Sequence, residues 1–63
     1  MNAIKAARLE RELSQEVLAE RVQSSQGRIS DLENGRGQAS PALARKIADE
    51  LGISIEKVLF PEG

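Results

Sequence analysis

The sequence predicts an all-α domain of five short helices, and three features of the pattern indicate this class. Apolar residues recur at helical spacing along most of the 63-residue chain. Serines precede several of these apolar segments, and glycine or proline follows them, as at the beginnings and ends of helices. The chain suffices for one domain, residues 1–63, which at this size buries only about 60% of its unfolded surface. We therefore expect a small core.

The segment from Gln15 to Gly35 predicts two helices joined by a tight turn. We place the first at about Gln15–Val22 and the second at about Ser25–Glu33. Ile29 and Leu32 are three residues apart, so both turn toward one side of the second helix. The opposite side is polar, and such a face is either an idle solvated surface or a binding surface.

The helix before this segment is expected at about Asn2–Glu12, with Leu13 entering the core after it. Ser14 is placed to cap the next helix, because its hydroxyl can accept a hydrogen bond from a free backbone N–H of the first turn. The spacing predicts that the inner side of the first helix is formed by four residues, namely Ile4, Ala7, Arg8 and Leu9.

The fourth helix has the clearest beginning in the sequence. Ser40 is expected as its N-cap and Pro41 as its first residue, where a missing N–H does no harm. The helix continues with apolar residues spaced for one face and ends at Gly52. Ser54 is then predicted to cap a last short helix, Ile55 to about Leu59.

Composition excludes several function classes. The chain has no Cys and no His, which excludes disulfides, structural zinc and imidazole-based acid–base chemistry. We expect no enzyme, no cofactor, no metal and no small-molecule substrate. No apolar run approaches the ~18 residues that a membrane span needs, and the first ten residues carry charges where a signal peptide would be apolar. The expected location is therefore the cytoplasm.

The charge is unevenly distributed, although its sum is only −1. Residues 21–48 hold five bases and two acids, whereas residues 1–20 and 49–63 each have an acidic excess. A nucleic-acid-binding domain usually carries a basic excess, so the sum argues against such a partner. The distribution favours one, because the positive segment coincides with the second predicted helix of the pair and with the loop and helix after it.

Two runs of residues carry a resemblance to a known family. The run S-Q-E-x-L-A-E-R-V, followed by S-Q-x-x-I-S-x-L-E-N-G-R, resembles the phage-repressor (Cro-like, Xre-like) helix-turn-helix DNA-binding family, and the likeness extends from about Ile4 to Phe60. It implies a compact five-helix lambda-repressor-like domain, with the helix-turn-helix at about 15–33. It also implies a transcriptional regulator, a repressor, that binds a double-stranded DNA operator in the cytoplasm of a prokaryotic cell or a phage-infected host.

The resemblance identifies the helix at about 25–33 as the recognition helix, whose first residues reach base edges in the major groove. Gln26 has the groups to bond adenine N6 and N7, Arg28 to take guanine or a phosphate, and Asp31 to accept from cytosine N4. A glycine in this face lets the backbone approach the groove, although neutral drift explains it nearly as well. The expected base-reading residues are Gln26, Gly27, Arg28, Ser30 and Asp31.

Five further residues are expected, by the same resemblance, to contact DNA phosphates and so to position the protein. The alternative for Gln15 and Arg36 is an ordinary solvated side chain. The serines have a second candidate role, because either Ser24 or Ser25 supplies the N-cap of the recognition helix. The expected phosphate contacts are Gln15, Ser24, Ser25, Asn34 and Arg36.

The family also implies a partly buried ion pair between Arg8 and Glu33. Composition alone would predict two solvated charges on separate helices. Neutralised by Arg8, Glu33 no longer repels phosphate, and Asp31 is then the one unpaired acid expected in the positive segment.

The chain departs from the family pattern at two helix ends. Glu12 and Gln23 stand where glycine is common, because the residue that closes a helix often takes positive φ. A residue other than glycine in that conformation costs on the order of 1 kcal/mol. These departures affect the expected stability of the domain and leave its expected fold unchanged.

Family members commonly dimerise on DNA through the C-terminal region, and paired modules read half-sites about one helical turn, ~34 Å, apart. We therefore expect a homodimer, at least on DNA. Phe60 either seals the bottom of the bundle or lies exposed in a two-fold contact. The acidic residues Glu56 and Glu62 are expected to face away from DNA.

The alternative function belongs to another class. The same scaffold can serve as a helical protein-interaction module, as in an antitoxin-like or anti-repressor partner. The acidic balance, the few cations and the carboxylate of Asp31 on the reading face favour this alternative.

Overall fold

The computed structural model describes residues 2–61, and in this range it contains five α-helices and no strand. The helices are α1 (Ala3–Glu10), α2 (Gln15–Arg21), α3 (Gln26–Glu33), α4 (Pro41–Leu51) and α5 (Ile55–Leu59). The predicted all-α class with five helices is thus confirmed. The orientation expected for Glu62 concerns a residue outside the described range. No described helix combines the length and the apolar character that crossing a membrane requires.

Side-chain caps begin the first four helices. Ser25, and not Ser24, is the N-cap of α3, and its Oγ accepts from the N–H of Arg28 at 3.2 Å. Asn2 is the N-cap of α1 and lies outside the helix, so α1 begins one residue later than predicted. Ser54 is the N-cap residue of α5, as predicted, but its side chain makes no cap hydrogen bond.

The first four helices end in the same way, with a residue in the left-handed conformation. The positive φ values are 56° at Glu12, 59° at Gln23, 74° at Gly35 and 67° at Gly52. After each of these residues, the next N–H bonds back to a carbonyl of the last helical turn, as in the hydrogen bond from Leu13 to Arg8 at 3.0 Å. The positive φ expected at the two residues that replace glycine is therefore present.

The core lies where the helices converge. α2 packs on α3, α4 packs on α5, and α1 contacts α3, α4 and α5. Leu9 was expected on the inner side of α1 but is 47% exposed, because the buried stripe runs through Ile4 and Arg8 and the next residue is rotated about 100° away. The largest fully buried side chains are Ile4, Leu18, Val22, Ile29, Ile47 and Leu51.

Polar contacts attach α1 to the rest of the bundle. The side chain of Asn2 is buried and donates to the carbonyl of Leu32 at 3.0 Å, while its oxygen accepts from the N–H of Ile4 at 2.7 Å. At the other end, the Arg11 guanidinium donates through Nε to the carbonyl of Leu51 at 2.7 Å. The orientation of α1 therefore depends on hydrogen bonds at both of its ends as well as on apolar packing.

Candidate nucleic-acid interface

The first turns of α2 and α3 and the loop after α3 form one continuous polar surface. Gln26 Nε2 donates to Gln15 Oε1 at 3.4 Å, which brings the beginnings of the two helices together. Arg28 Nη2 donates to the carbonyl of Gln38 at 2.7 Å, which brings the loop beside α3. We call this surface, formed by residues 14–15, 24–28, 30–31 and 34–38, the reading surface. It unites the ten residues predicted from the sequence to contact DNA.

Arg8 and Glu33 lie beneath the reading surface and form a buried ion pair. Arg8 Nε is 2.6 Å from Glu33 Oε2 and Nη2 is 3.1 Å from Oε1, so the contact is bidentate. The side chains are only 8% and 2% exposed. The third guanidinium nitrogen, Nη1, donates to the carbonyl of Leu13 at 2.7 Å. Glu33 therefore presents no free negative charge to a ligand at the surface.

The ion pair raises the pKa of Arg8 above its ordinary value. The hydrogen bonding of the Arg8 guanidinium to Glu33 is the main cause, burial opposes it, and the negative charge of Glu33 adds to it. A raised pKa in the folded state gives stability that is present at neutral pH and lost only when pH rises through that pKa. Arg8 is therefore a permanent cation in the folded protein.

A line of hydrogen bonds connects this pair to the surface. Gln15 Nε2 donates to Glu33 Oε1 at 3.1 Å, which leaves Gln15 Oε1 to accept from Gln26. Gln15 is half-buried and Gln26 is exposed. A chain of polar groups thus runs from the buried arginine to the exposed amide of Gln26.

Arg28 points along the protein surface toward the loop. One of its five N–H groups is used on the Gln38 carbonyl, so four remain for a ligand. Backbone contacts hold the same loop, since the N–H of Arg36 donates to the carbonyl of Asp31 at 2.7 Å. Gln38 was not among the predicted contacts, because it contributes a backbone carbonyl, which carries no residue-type signal.

The C-terminal half of α3 carries the remaining predicted residues. Asn34 Nδ2 donates to the carbonyl of Ser30 at 2.8 Å, and Ser30 Oγ lies 3.4 Å from the same nitrogen. Asp31 was expected to be unpaired, but its Oδ1 is 4.0 Å from Arg36 Nε. Both of these side chains are more than half exposed, so the pair is weak and solvent-screened.

The reading surface has the size and chemistry of a groove-binding face. α3 has eight residues and is about 12 Å long, and its outward side is polar with a glycine in the first turn. The side chains of the reading surface offer both hydrogen-bond donors and acceptors, namely amides, hydroxyls, a carboxylate and two guanidinium groups. Such a face can pair with the mixed donor and acceptor edges of bases and with phosphate oxygens.

An apolar groove borders the reading surface and was not anticipated. It has a volume of about 400 Å³ and lies between the loop after α3 and the end of α5. Gln38 and Ala39 line one side, and Val58, Leu59 and Phe60 line the other. Phe60 is 67% exposed, so it does not seal the bottom of the bundle, and the two-fold contact stays a prediction.

Comparison with known proteins agrees with this geometry. The family described as helix-turn-helix matches residues 4–58 of the chain. The match includes α2, α3 and the loop that follows them, together with all twelve residues predicted for DNA contact or for the buried ion pair. A search among curated proteins found no significant match.

Proposed function

Because the chain belongs to the Xre-like and Cro-like helix-turn-helix family of DNA-binding transcription regulators, we propose that it binds double-stranded DNA sequence-specifically and represses transcription. One observation carries the proposal: the exposed polar face of α3 lies beside the first turn of α2 and the loop after α3, connected by hydrogen bonds. The major groove of B-form DNA, about 12 Å wide, admits one helix with such a face.

Base recognition is assigned to the outward residues of α3. Gln26 pairs with adenine through N6 and N7, and Asp31 accepts from cytosine N4. Arg28 takes guanine or a phosphate with the N–H groups that Gln38 leaves free. Ser30 and Gly27 complete the face, the first with a hydroxyl and the second with bare backbone.

Phosphate contacts are assigned to the edges of the reading surface, where they orient the protein without reading sequence. Gln15, Ser24 and Ser25 lie on the side of the helix beginnings, and Asn34 and Arg36 lie on the loop side. The partial positive charge at the first turn of each helix favours the phosphate anion. Of these five residues, Arg36 contributes a full charge.

The proposed mode of action is occupancy. A repressor of this kind excludes polymerase from an overlapping promoter, so its effect depends on binding free energy and on no chemical step. The chain acts as a homodimer on an operator with two half-sites about one helical turn apart. The exposed Phe60 and the groove beside it supply an apolar surface for the second copy.

The experiment that tests this function is selection from a random duplex library, at low and at moderate salt, followed by sequencing of the retained DNA. Recovery of a near-palindromic motif with half-sites about one turn apart supports the proposal and supplies the operator. Retention that disappears with salt and enriches no sequence would contradict it. A salt-insensitive association with protein in place of DNA would favour the interaction-module alternative, because DNA affinity falls with a slope near −0.9 per neutralised phosphate.

The two exposed arginines of the reading surface give a residue-level prediction. Arg36→Ala is expected to weaken binding to all sequences alike and to reduce the salt slope by about 1, since one phosphate contact is lost. Arg28→Ala is expected to weaken binding as well, and to relax the preference at one base pair where Arg28 reads guanine. Lys57→Ala, which removes an exposed cation from α5, is the control and should change neither quantity. If both arginine variants bound DNA with the affinity of the wild type, the reading surface would not be the DNA interface.

A further inference from the structure

Gly27 occupies a position where nothing inside the protein requires a glycine. It lies in the first turn of α3, and its φ is not among the positive values found in the chain. A Cβ atom added to it would have no contacting atom within 4 Å beyond its chain neighbours and the backbone of its own helix. Neither backbone conformation nor packing therefore explains the missing side chain.

α4 shows what the same position carries elsewhere in the chain. A serine N-cap precedes both α3 and α4. Its Oγ accepts a hydrogen bond from the backbone N–H three residues later, at 3.2 Å in each case. Gly27 is the second residue of α3, and Ala42, also exposed, is the second residue of α4. Alanine forms a helix more readily than glycine, so the glycine in α3 weakens the free protein without any internal compensation.

We propose that Gly27 determines operator specificity through its missing side chain, which leaves bare backbone on the outward face of α3 where the C5-methyl group of a thymine packs. The inference rests on the proposed function and deepens it. On the same helix, Gln26 precedes this stretch of bare backbone and Asp31 lies one turn after it, and both side chains are exposed. Of the base groups exposed in the major groove, the thymine methyl is the apolar one, and bare backbone CH₂ and peptide surface can contact it closely.

Opposite effects on stability and on binding are expected from this arrangement. Gly27→Ala is expected to raise the Tm of the free protein, by up to about 8 °C, because helix propensity improves and nothing clashes. The same variant is expected to bind the selected operator about tenfold or more weakly, since the added methyl group and the thymine methyl compete for one space. Ala42→Gly is the matched control, which should lower the Tm and leave operator binding unchanged.

The contacted base is identified with deoxyuridine, which lacks only the methyl group. Each thymine of the selected half-site is replaced in turn, and the Kd of the wild type and of Gly27→Ala is measured on each duplex. At one position the wild type should lose about fivefold or more in affinity, while Gly27→Ala should bind the two duplexes equally well. If deoxyuridine reduced the affinity of the wild type and of Gly27→Ala equally at every thymine, the inference would be overturned and the proposed function would stay intact. The same holds if the two proteins bound the unmodified operator with equal affinity. A wild type that selects no sequence would overturn both.

Discussion

Arg8 shows how one side chain connects stability with the binding surface. Its guanidinium makes two hydrogen bonds to Glu33 and one to the carbonyl of Leu13, and no described buried side-chain polar atom is left unpaired around it. The Glu33 carboxylate in turn accepts from Gln15. Removing Arg8 would strand a buried negative charge directly under the surface that we propose to meet phosphates.

We therefore predict that Arg8→Ala destabilises the fold far more than Arg11→Ala. The loss for Arg8 is expected to be about 3–5 kcal/mol, because a buried charge loses its partner. Arg11 is exposed and contacts the end of α4, where a cation contributes about 0.3–1 kcal/mol. Thermal and urea unfolding followed by circular dichroism measure both variants.

The double variant Arg8→Met with Glu33→Leu distinguishes the stranded charge from lost packing. Apolar replacement of both partners is expected to restore much of the stability that Arg8→Ala loses. Equal melting temperatures for Arg8→Ala and Arg11→Ala would show that the buried pair does not stabilise this fold.

At the scale of elements, the helices are defined by how they begin and end. Four of them begin with a side-chain cap, and these caps satisfy backbone N–H groups that would otherwise have no partner. α5 is the exception, since its preceding serine makes no such bond. α5 has only five residues, so its helical conformation depends chiefly on the packing of Val58 against the core and on its contact with α4.

This difference predicts that replacing serine with alanine lowers the free energy of unfolding by different amounts before α4 and before α5. Ser40→Ala is expected to lower the free energy of unfolding by about 1 kcal/mol, because the hydrogen bond that the N–H of Leu43 donates to Ser40 Oγ is lost. Ser54→Ala should leave stability nearly unchanged, since Ser54 forms no cap hydrogen bond. Denaturant unfolding of the two variants measures both values, and equal losses would show that Ser54 does cap α5.

At the scale of the whole molecule, the loop after α3 belongs to two surfaces. The carbonyl of Gln38 accepts from Arg28 on the reading surface, and the same residue lines the groove beside Phe60. Across the described residues the domain measures about 24 × 21 × 20 Å, so these two surfaces are necessarily close. In the proposed homodimer, the groove beside Phe60 is the contact with the second copy.

For this reason Phe60→Ser is expected to weaken binding to an operator with two half-sites by about tenfold or more, because an apolar contact worth roughly 1.5–3 kcal/mol is lost. Binding to an isolated half-site should not change. Leu9→Ser is the control, since Leu9 is also an exposed apolar residue and does not line the groove. Fluorescence anisotropy on duplexes of both kinds measures the Kd values. An equal loss on the two duplexes would place Phe60 outside any dimer contact.

Much of the candidate site could be predicted from the sequence because its signals are local or belong to a family pattern. Ile29 and Leu32 face inward as their spacing requires, which turns the polar residues of α3 outward. The bond from Arg28 to Gln38 and the groove beside Phe60 could not be predicted in this way. The first uses a backbone carbonyl, and the second forms only when the loop and α5 meet.

The sequence by itself determined the five helices and two of the serine caps, because these features depend on interactions within a few residues. It left the cap of α3 open between two serines. The positive φ at Glu12 and Gln23, where the chain closes a helix without glycine, was expected from the family pattern. Tertiary structure alone decided that Leu9 is exposed. The direction in which α1 faces the bundle and the packing of α5 on α4 depend on contacts between distant segments, and local propensity carries no information about such contacts.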